Sequence, residues 1–464
     1  MRNIVKSTPF NESERLLSNL ADKAFLSLWA FPNVYKDEGI SKGQGEELCD
    51  LLVVFNEHVI IFSDKGEVTY KPTEDIKVGW KRWVNKAYLK SSYQVYQAEK
   101  WINEYPKRIF LDKKCTIPFP IEFPPADKIK IHRVVVVRSI TGAARDYYND
   151  DNGTLMLVPD IIGEDHFERP FLIGRPSHNK GYVHFFDEHS IDVVFNELDT
   201  ITDFTGYLSK KEAFIDAGRL LAAAGEDDLL GYFLSSYEEK EEPYFLDPLP
   251  DHRINVWPGF YESMKETEVY ELMADIKKKS YFWDRAINLM GEAAFQKKWN
   301  MTNGKNYDEE IMVLRYMASE HRLARGILSP PVQELISRPF PDDEVLPRVR
   351  ILGSATNPKL CYLWLVLSRI PELSDDQQYR KVRMNMLVHY CYACKDAKPQ
   401  FETIVGVACD AINHKGGASE ELVYVHTNEG GEAEYAEARR IRNELGFLKN
   451  TTESVLSQSC KDLR

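Results

Sequence analysis

Two apolar segments separated by only three residues place the strongest constraint on the fold of this 464-residue chain. LLVVF occupies residues 51–55, and VIIF occupies residues 59–62. Runs of this length, rich in branched side chains and joined by so short a connection, predict the two buried strands of an antiparallel hairpin. We expect these strands at residues 48–55 and 59–63.

An acidic residue enters the first of these strands, and a lysine leaves the second. Asp50 precedes the first apolar run, and Lys65 follows the second. Hydrolysis of a phosphodiester at neutral pH uses a divalent cation to activate water, and Mg²⁺ prefers carboxylate and carbonyl oxygens. A lysine beside the metal can position the attacking water and offset the charge of the transition state. Asp50 and Lys65 therefore form a candidate hydrolytic pair across the hairpin.

The order of these features resembles the PD-(D/E)xK, or restriction-endonuclease-like, nuclease superfamily, in the form found in nuclease-related domains. The resemblance covers residues 14–101: a helix with Glu14, a strand opening with Asp50, a strand ending at Lys65, and a following helix with Gln94. It implies that Asp50 binds Mg²⁺ or Mn²⁺, that Lys65 serves catalysis, and that Glu14 is an auxiliary acid. Gln94 resembles a glutamine that follows the lysine in exonuclease-type members. The implied activity is metal-dependent hydrolysis of DNA, in bacterial defence or in repair.

The position two residues before the lysine departs from the family pattern, which has Asp or Glu there. This chain has Ser63, and strand alternation predicts that Asp64 points to the opposite face from Ser63 and Lys65. The catalytic candidates are therefore Asp50, Lys65, Glu14, Ser63 and Gln94. The metal-ligand candidates are Asp50, Glu47 and Ser63.

The serine leaves three interpretations open. In the first, Glu46, Glu47 or Glu14 completes an active nuclease site. In the second, the domain is a degenerate, non-catalytic nuclease fold that binds nucleic acid or a protein partner. In the third, a different α/β enzyme uses the region of His178 and His184.

A basic and aromatic segment follows the hairpin. The chain as a whole carries a net charge of −13, which argues against non-specific coating of nucleic acid. The segment from Lys65 to Lys114, however, contains 12 Lys and Arg residues and only 6 Asp and Glu residues. The predicted DNA-contacting residues are Lys81, Arg82, Lys86 and Lys90. The alternative is an amphipathic helix with an ordinary solvated face.

Length and pattern predict more than one domain. We expect an α/β nuclease-like domain with a mixed central sheet and a strand-rich extension at 1–235, and an acidic linker at 236–256. A mostly helical to α+β domain follows at 257–449, where it offers a surface for a protein partner, and a flexible tail ends the chain at 450–464. The absence of a long apolar run or secretion signal, together with seven scattered cysteines, predicts a cytoplasmic protein without a membrane span.

A weaker signal lies in the C-terminal region. Cys391 and Cys394, with Cys409 and His414 downstream, have the outline of a zinc site. Cys391 and Cys394 fall in a helical pattern, however, which favours buried thiols in an apolar core.

Overall fold

The computed structural model has mixed α/β architecture and divides into two compact units, Ile4–Leu272 and Met273–Arg464. The residues that it describes are 6–150, 154–238, 243–295, 311–340, 347–368, 375–411, 420–427, 431–449 and 451–452. The predicted tail at 450–464 lies outside the described residues apart from 451 and 452. Of the helices in these ranges, none combines the length and apolar character that a membrane span requires.

The N-terminal unit alternates strands and helices. Its strands are β1 (Ala30–Lys36), β2 (Glu46–Phe55), β3 (His58–Lys65), β4 (Ile109–Phe110), β5 (Lys130–Val137), β6 (Met156–Ile162), β7 (Leu172–Arg175), β8 (Val183–Phe186), β9 (Leu220–Ala223) and β10 (Ile254–Val256). Its helices are α1 (Glu12–Phe25), α2 (Ile76–Val84), α3 (Lys90–Glu104), α4 (Thr141–Tyr148), α5 (Glu188–Glu197), α6 (Ile201–Asp216), α7 (Glu226–Ser235) and α8 (Phe260–Lys265).

The predicted hairpin is confirmed and lies at the centre of a mixed six-stranded sheet. The strand order is β4-β1-β2-β3-β5-β8. Strands β1, β2 and β3 form an antiparallel meander, whereas β3, β5 and β8 run parallel. The chain returns from β3 to β5 through α2 and α3, as a parallel crossover requires.

Helices cover both faces of this sheet, which explains why the hairpin strands are continuous apolar runs. On one face, Phe62 contacts Phe195 of α5 and Phe204 of α6. On the other face, Phe185 contacts Trp83 of α2 and Tyr88 in the turn after it. Two neighbouring residues of β3 can therefore both be buried although they point in opposite directions.

Helical spacing predicts a helix that begins at Glu14 after an N-cap at Ser13, but helix α1 begins two residues earlier, at Glu12. Asn11, rather than Ser13, is the N-cap, and its side chain accepts a hydrogen bond from the Glu14 amide. Ser13 is instead buried in the first turn and faces the sheet.

Helical spacing predicts a helix after the hairpin, at 74–103, and the structure confirms it as a nearly continuous helical segment. Helices α2 and α3 are joined by one π-helical turn at Asn85–Leu89. Trp80 and Trp83 are buried, and their indole N–H groups donate to the carbonyl oxygens of His166 and Val68. The aromatic residues here are thus largely core residues, and the lysines and arginine occupy the solvated side.

A second sheet of the N-terminal unit, in the order β10-β9-β6-β7, corrects one helix prediction. The pattern at 210–224 predicts a helix throughout, but α6 ends at Asp216 and Leu220–Ala223 form strand β9. Strand β9 pairs with β10, so part of the predicted linker at 236–256 belongs to this sheet. The boundary between the two units lies further along, at Leu272.

The C-terminal unit contains a second mixed α/β core. Its helices are α9 (Glu268–Phe295, which begins before the unit boundary), α10 (Met312–Ala318), α11 (Arg322–Ser337), α12 (Asp376–Ala397) and α13 (Glu432–Asn443). Its strands are β11 (Arg348–Gly353), β12 (Leu360–Leu367), β13 (Thr403–Asp410) and β14 (Glu420–His426), which form one sheet in that order. The pattern analysis misses β11 and β12, because the apolar run LCYLWLVL fits a buried helix as well as a strand.

Three cysteines of this unit are core residues. Cys391 and Cys394 of α12 pack with Cys361 of β12 in an apolar cluster. Burial raises the pKa of the Cys391 thiol well above its ordinary value, so the thiol stays protonated. His414, the fourth member of the zinc outline, lies outside the described residues.

Candidate active site

The candidate hydrolytic pair lies where β3 ends. Lys65 is the last residue of this strand, and its Nζ lies 3.9 Å from Asp50 Oδ2 on the neighbouring strand β2. The amide of Asp64 donates a hydrogen bond to the same Asp50 oxygen at 2.5 Å. Strand β5, which is parallel to β3, ends beside Lys65 at Val137. The pair therefore occupies the carboxyl edge of parallel strands, where open α/β sheets commonly place their sites.

The strand register decides which side chains share the face of this pair. Leu51 pairs with Phe62, so continuation of this register sets Asp50 opposite Ser63. Lys65, two residues after Ser63, points to the same side. This is the face covered by α2 and α3, because Phe185 pairs through Val135 with Ser63 and contacts Trp83.

A β-bulge brings Glu47 to Asp50. Strand β2 pairs with β1 through Cys49 and Val34, and then through Glu47 and Tyr35, so Leu48 is an extra residue. Without this bulge, the odd spacing between Glu47 and Asp50 would put them on opposite faces. Burial, followed by repulsion from Asp50 and Glu14, raises the pKa of Glu47 to about 7.

The pKa of Asp50 is also raised. Burial raises it to about 6, although the positive charge of Lys65 and the hydrogen bond from the Asp64 amide both act to lower it. The site thus contains the half-buried carboxyl group of Asp50 and the more exposed one of Glu47, which repel each other, with one lysine beside them. A further positive charge beside these carboxyl groups would stabilise their ionised forms.

The side chain of Asp64 points to the other face, as strand alternation predicts. Its Oδ1 accepts hydrogen bonds from Ser13 Oγ at 2.6 Å and from the Gly66 amide at 2.7 Å. Arg138, directly after β5, donates from Nε to Ser13 Oγ at 2.8 Å. These hydrogen bonds hold α1 against the ends of β3 and β5, on the opposite face of the sheet from the candidate site.

Gly66 has no room for a side chain. A Cβ at this position would lie 1.9 Å from Ser13 Oγ, far inside van der Waals contact. Pattern analysis misses the roles of Ser13, Arg138 and Gly66, since the only local signal is a polar residue at the end of a valine run.

Glu14 acts on the candidate site through the electrostatic effect of its negative charge. Its two carboxylate oxygens accept hydrogen bonds from the Phe10 amide and the Asn11 side chain, both at 2.7 Å, so it serves the start of α1. Its negative charge nevertheless raises the pKa values of both Asp50 and Glu47. Glu14 thus lies near the pair without forming a three-residue ligand group with it in the described structure.

Gln94 lines a cleft that does not include Asp50 or Lys65. It lines an open cavity of about 480 Å³ together with Lys90, Tyr93 and Phe167. Neither Asp50 nor Lys65 lines this cavity. The structure therefore does not join Gln94 to the other catalytic candidates.

The predicted DNA-contacting residues are solvent-exposed on the segment that covers the Asp50 face. Lys81, Arg82, Lys86 and Lys90 are all exposed along α2, the π turn and the start of α3. Lys81 also lies over the ring of Phe167, with Nζ 4.7 Å from the ring centre.

The structure separates His178 from His184. His178 is exposed in a loop, whereas His184 is fully buried on β8. His184 belongs instead to a cluster with His132 of β5 and Glu212 of α6, whose ligand atoms all lie within 4.8 Å of one another. Sequence reasoning misses this cluster, because 80 residues separate His132 from Glu212.

Comparison with known proteins gave no match of this chain to a family model, to a curated protein or to a solved structure.

Proposed function

We propose that the N-terminal unit is a divalent-metal-dependent nuclease, in a variant form of the PD-(D/E)xK arrangement. The observation that carries the proposal is the position of Lys65 Nζ, 3.9 Å from Asp50 Oδ2 at the carboxyl edge of parallel strands. The order of elements also supports it: a helix, an antiparallel meander, a helical crossover and a strand parallel to β3.

The donor set fits Mg²⁺ or Mn²⁺. Asp50 and Glu47 offer hard carboxylate oxygens, and Ser63 offers a hydroxyl on the same face as Asp50. Burial is the largest cause of the raised pKa values of the two carboxyl groups, and repulsion by neighbouring carboxylates adds to it. A divalent cation relieves that repulsion. When bound, the cation would activate water and offset charge on the phosphate.

The residues of the chain supply the remaining steps. Asp50 is held in place by the Asp64 amide, so its free oxygen has a fixed direction. Lys65 is in position to offset the charge that develops on the phosphate during attack by water. The exposed Arg82, Lys86 and Lys90 extend along the helix on this face and supply sequence-independent contacts to the DNA backbone.

A degenerate, non-catalytic fold is the second candidate function, and Ser63 is the observation that favours it. The position where the family has a carboxylate holds a serine that is 4% exposed. Asp64 does not replace the missing carboxylate, since its side chain is engaged by Ser13 on the opposite face.

Hydrolysis of linear, circular and single-stranded DNA, and of RNA, tests the proposal. Wild type should cleave with Mg²⁺ or Mn²⁺ and not in EDTA, and Asp50→Asn and Lys65→Met should each lose at least about 100-fold in rate. Asp127→Asn and Lys128→Met, two neighbouring substitutions in an exposed loop, are matched controls that should cleave like wild type.

The two candidate functions give different results in one further experiment. If wild type binds DNA without cleaving it under any of these conditions, and Arg82→Glu abolishes that binding, the degenerate fold is the correct one. Cleavage that persists unchanged in both site variants would show that the reaction takes place elsewhere.

A further inference from the structure

Three histidines lie on one face of the three parallel strands, near the ends where these strands begin. His58 opens β3, His132 lies near the start of β5, and His184 is on β8. His184 pairs with Val134, and Val134 pairs with Phe62, so this is the face that α5 and α6 cover. In this register His132 and His184 lie five and three residue steps before Lys65, or roughly 16 and 10 Å along the strands, and on the opposite face of the sheet. The cluster is therefore separate from the candidate active site.

Glu212 of α6 joins two of these histidines. Its Oε1 lies 3.0 Å from His132 Nδ1 and 2.8 Å from His184 Nε2. On the far side of the His132 ring, Nε2 lies 2.9 Å from His58 Nδ1. Both His132 and His184 are buried, whereas the Glu212 side chain is 23% exposed.

We propose that His132, His184 and Glu212 bind one divalent transition-metal ion, with Zn²⁺ as the favoured ion, and that His58 orients the His132 ring. This inference does not depend on the proposed nuclease activity.

The chemistry of the donor set supports a transition metal. Two imidazoles and one carboxylate are a recurrent ligand set for Zn²⁺ and neighbouring ions, whereas Mg²⁺ prefers oxygen ligands alone. Zinc bonds of about 2.1 Å in tetrahedral geometry place ligand atoms about 3.4 Å apart. The Glu212 oxygen lies a few tenths of an ångström closer than this to each histidine, a difference that rotation of the glutamate side chain can absorb.

The protonation states also suit ligands. Burial lowers the pKa of His184 to about 4 and that of His58 to about 3, so these rings are neutral at pH 7. Burial would raise the pKa of Glu212, but hydrogen bonds from His132 and His184 outweigh it and lower this pKa below its ordinary value. The glutamate is therefore ionised.

His58 completes the arrangement around His132. A histidine that binds metal through one ring nitrogen usually donates its other N–H to a fixed partner. If His132 Nδ1 binds the metal, the neutral ring takes the tautomer that carries its single N–H on Nε2. That N–H then points at His58 Nδ1. His184 Nδ1 is buried and has no hydrogen-bond partner among the described residues, so this ring is fixed by Glu212 and its packing.

Glu212 gives the ion a route to the site. It is the partly exposed member of the group, and it lies on a helix rather than within the sheet. Three protein ligands leave one tetrahedral position, which water can fill from this side.

Zinc titration of the full chain, purified without a polyhistidine tag and stripped with chelator, tests the inference. The wild type should bind one equivalent of Zn²⁺, and Co²⁺ in its place should give the intense visible absorption of a four-coordinate site. Glu212→Gln, which retains a side-chain oxygen that can accept from the histidines, should weaken Zn²⁺ binding at least tenfold. His184→Gln should do the same.

Two variants serve as controls for the specificity of Zn²⁺ binding. His178→Ala removes an exposed loop histidine, Asp127→Asn removes an exposed loop carboxylate, and both variants should bind Zn²⁺ like wild type. Bound Zn²⁺ should raise the melting temperature of wild type but not that of Glu212→Gln. No stoichiometric binding by wild type, or full binding retained by both Glu212→Gln and His184→Gln, would overturn the inference.

Discussion

Replacement of Asp50 by asparagine should make the N-terminal unit more stable, relative to wild type, at pH 8 than at pH 4.5. The carboxyl group is only 16% exposed, and its burial raises its pKa to about 6. In the unfolded chain, the pKa of an aspartate is about 3.9. Ionisation of Asp50 therefore costs the folded state more than it costs the unfolded state.

The sign and size of the effect follow from this difference. Because the pKa is raised in the folded state, the contribution of Asp50 to stability is present below pH 4 and is lost as the pH rises through 6. A shift of about two pKa units corresponds to about 3 kcal/mol, of which about 2 kcal/mol is lost between pH 4.5 and pH 8. Asparagine does not titrate, so the variant avoids this loss. Relative to wild type, Asp50→Asn should thus gain about 2 kcal/mol over this interval.

Equilibrium urea unfolding at pH 4.5 and pH 8 measures this gain. Hydrogen exchange of β2 and β3 identifies the transition of the N-terminal unit, since a chain of two units need not unfold in one step. EDTA must be present, because a bound cation would stabilise the ionised carboxylate. Asp127→Asn, in an exposed loop, is the matched control. A relative gain no larger than that of the control would refute the desolvation of Asp50 and with it this account of the site.

Three further substitutions test the surroundings of the site and the second unit. Gly66→Ala should destabilise the N-terminal unit by about 1–3 kcal/mol, because the new methyl group displaces Ser13; unchanged stability in urea would contradict the close approach. Ser13→Ala should cost about 2 kcal/mol by the same assay, since it removes a hydrogen bond to the Asp64 carboxylate and one from Arg138, and Ser18→Ala on the same helix should cost less than half as much. Arg383→Met should destabilise the C-terminal unit by about 3–5 kcal/mol, because the guanidinium is buried between Glu421 and Asp410; a loss below about 1 kcal/mol, measured by hydrogen exchange of β13, would contradict that pairing.

The hairpin and the helix after it could be predicted from sequence because their signals are local. Apolar runs and a short turn fix β2 and β3, and helical spacing fixes most of residues 76–104. The approach of Asp50 to Lys65 follows from the same register, since antiparallel pairing sets both on one face. These predictions needed no knowledge of distant parts of the chain.

The remaining features depend on tertiary geometry, which the spacing of apolar and polar residues in the sequence does not reveal. The bulge at Leu48 inverts the alternation of β2, and nothing in the sequence Glu46-Glu47-Leu48 marks it. The cluster of His132, His184 and Glu212 depends on which strands are neighbours and on the helix that covers them. Strand β12 was missed because burial on both faces erases the period by which a strand is distinguished from a helix.

The parallel pairing of β3 with β5 also has a consequence for synthesis of the chain. Strand β3 ends at Lys65, whereas its partner ends at Val137, and Arg138, which fastens α1 to this edge, comes one residue later. At translation rates of about 5–20 residues per second, the ribosome needs roughly 4–14 s to add this intervening stretch. During that interval, the edge of Val59–Phe62 has no strand to pair with, and its four apolar side chains, all fully buried in the folded sheet, lack part of their cover. The nascent protein therefore exposes an aggregation-prone edge after the hairpin emerges and before β5 does.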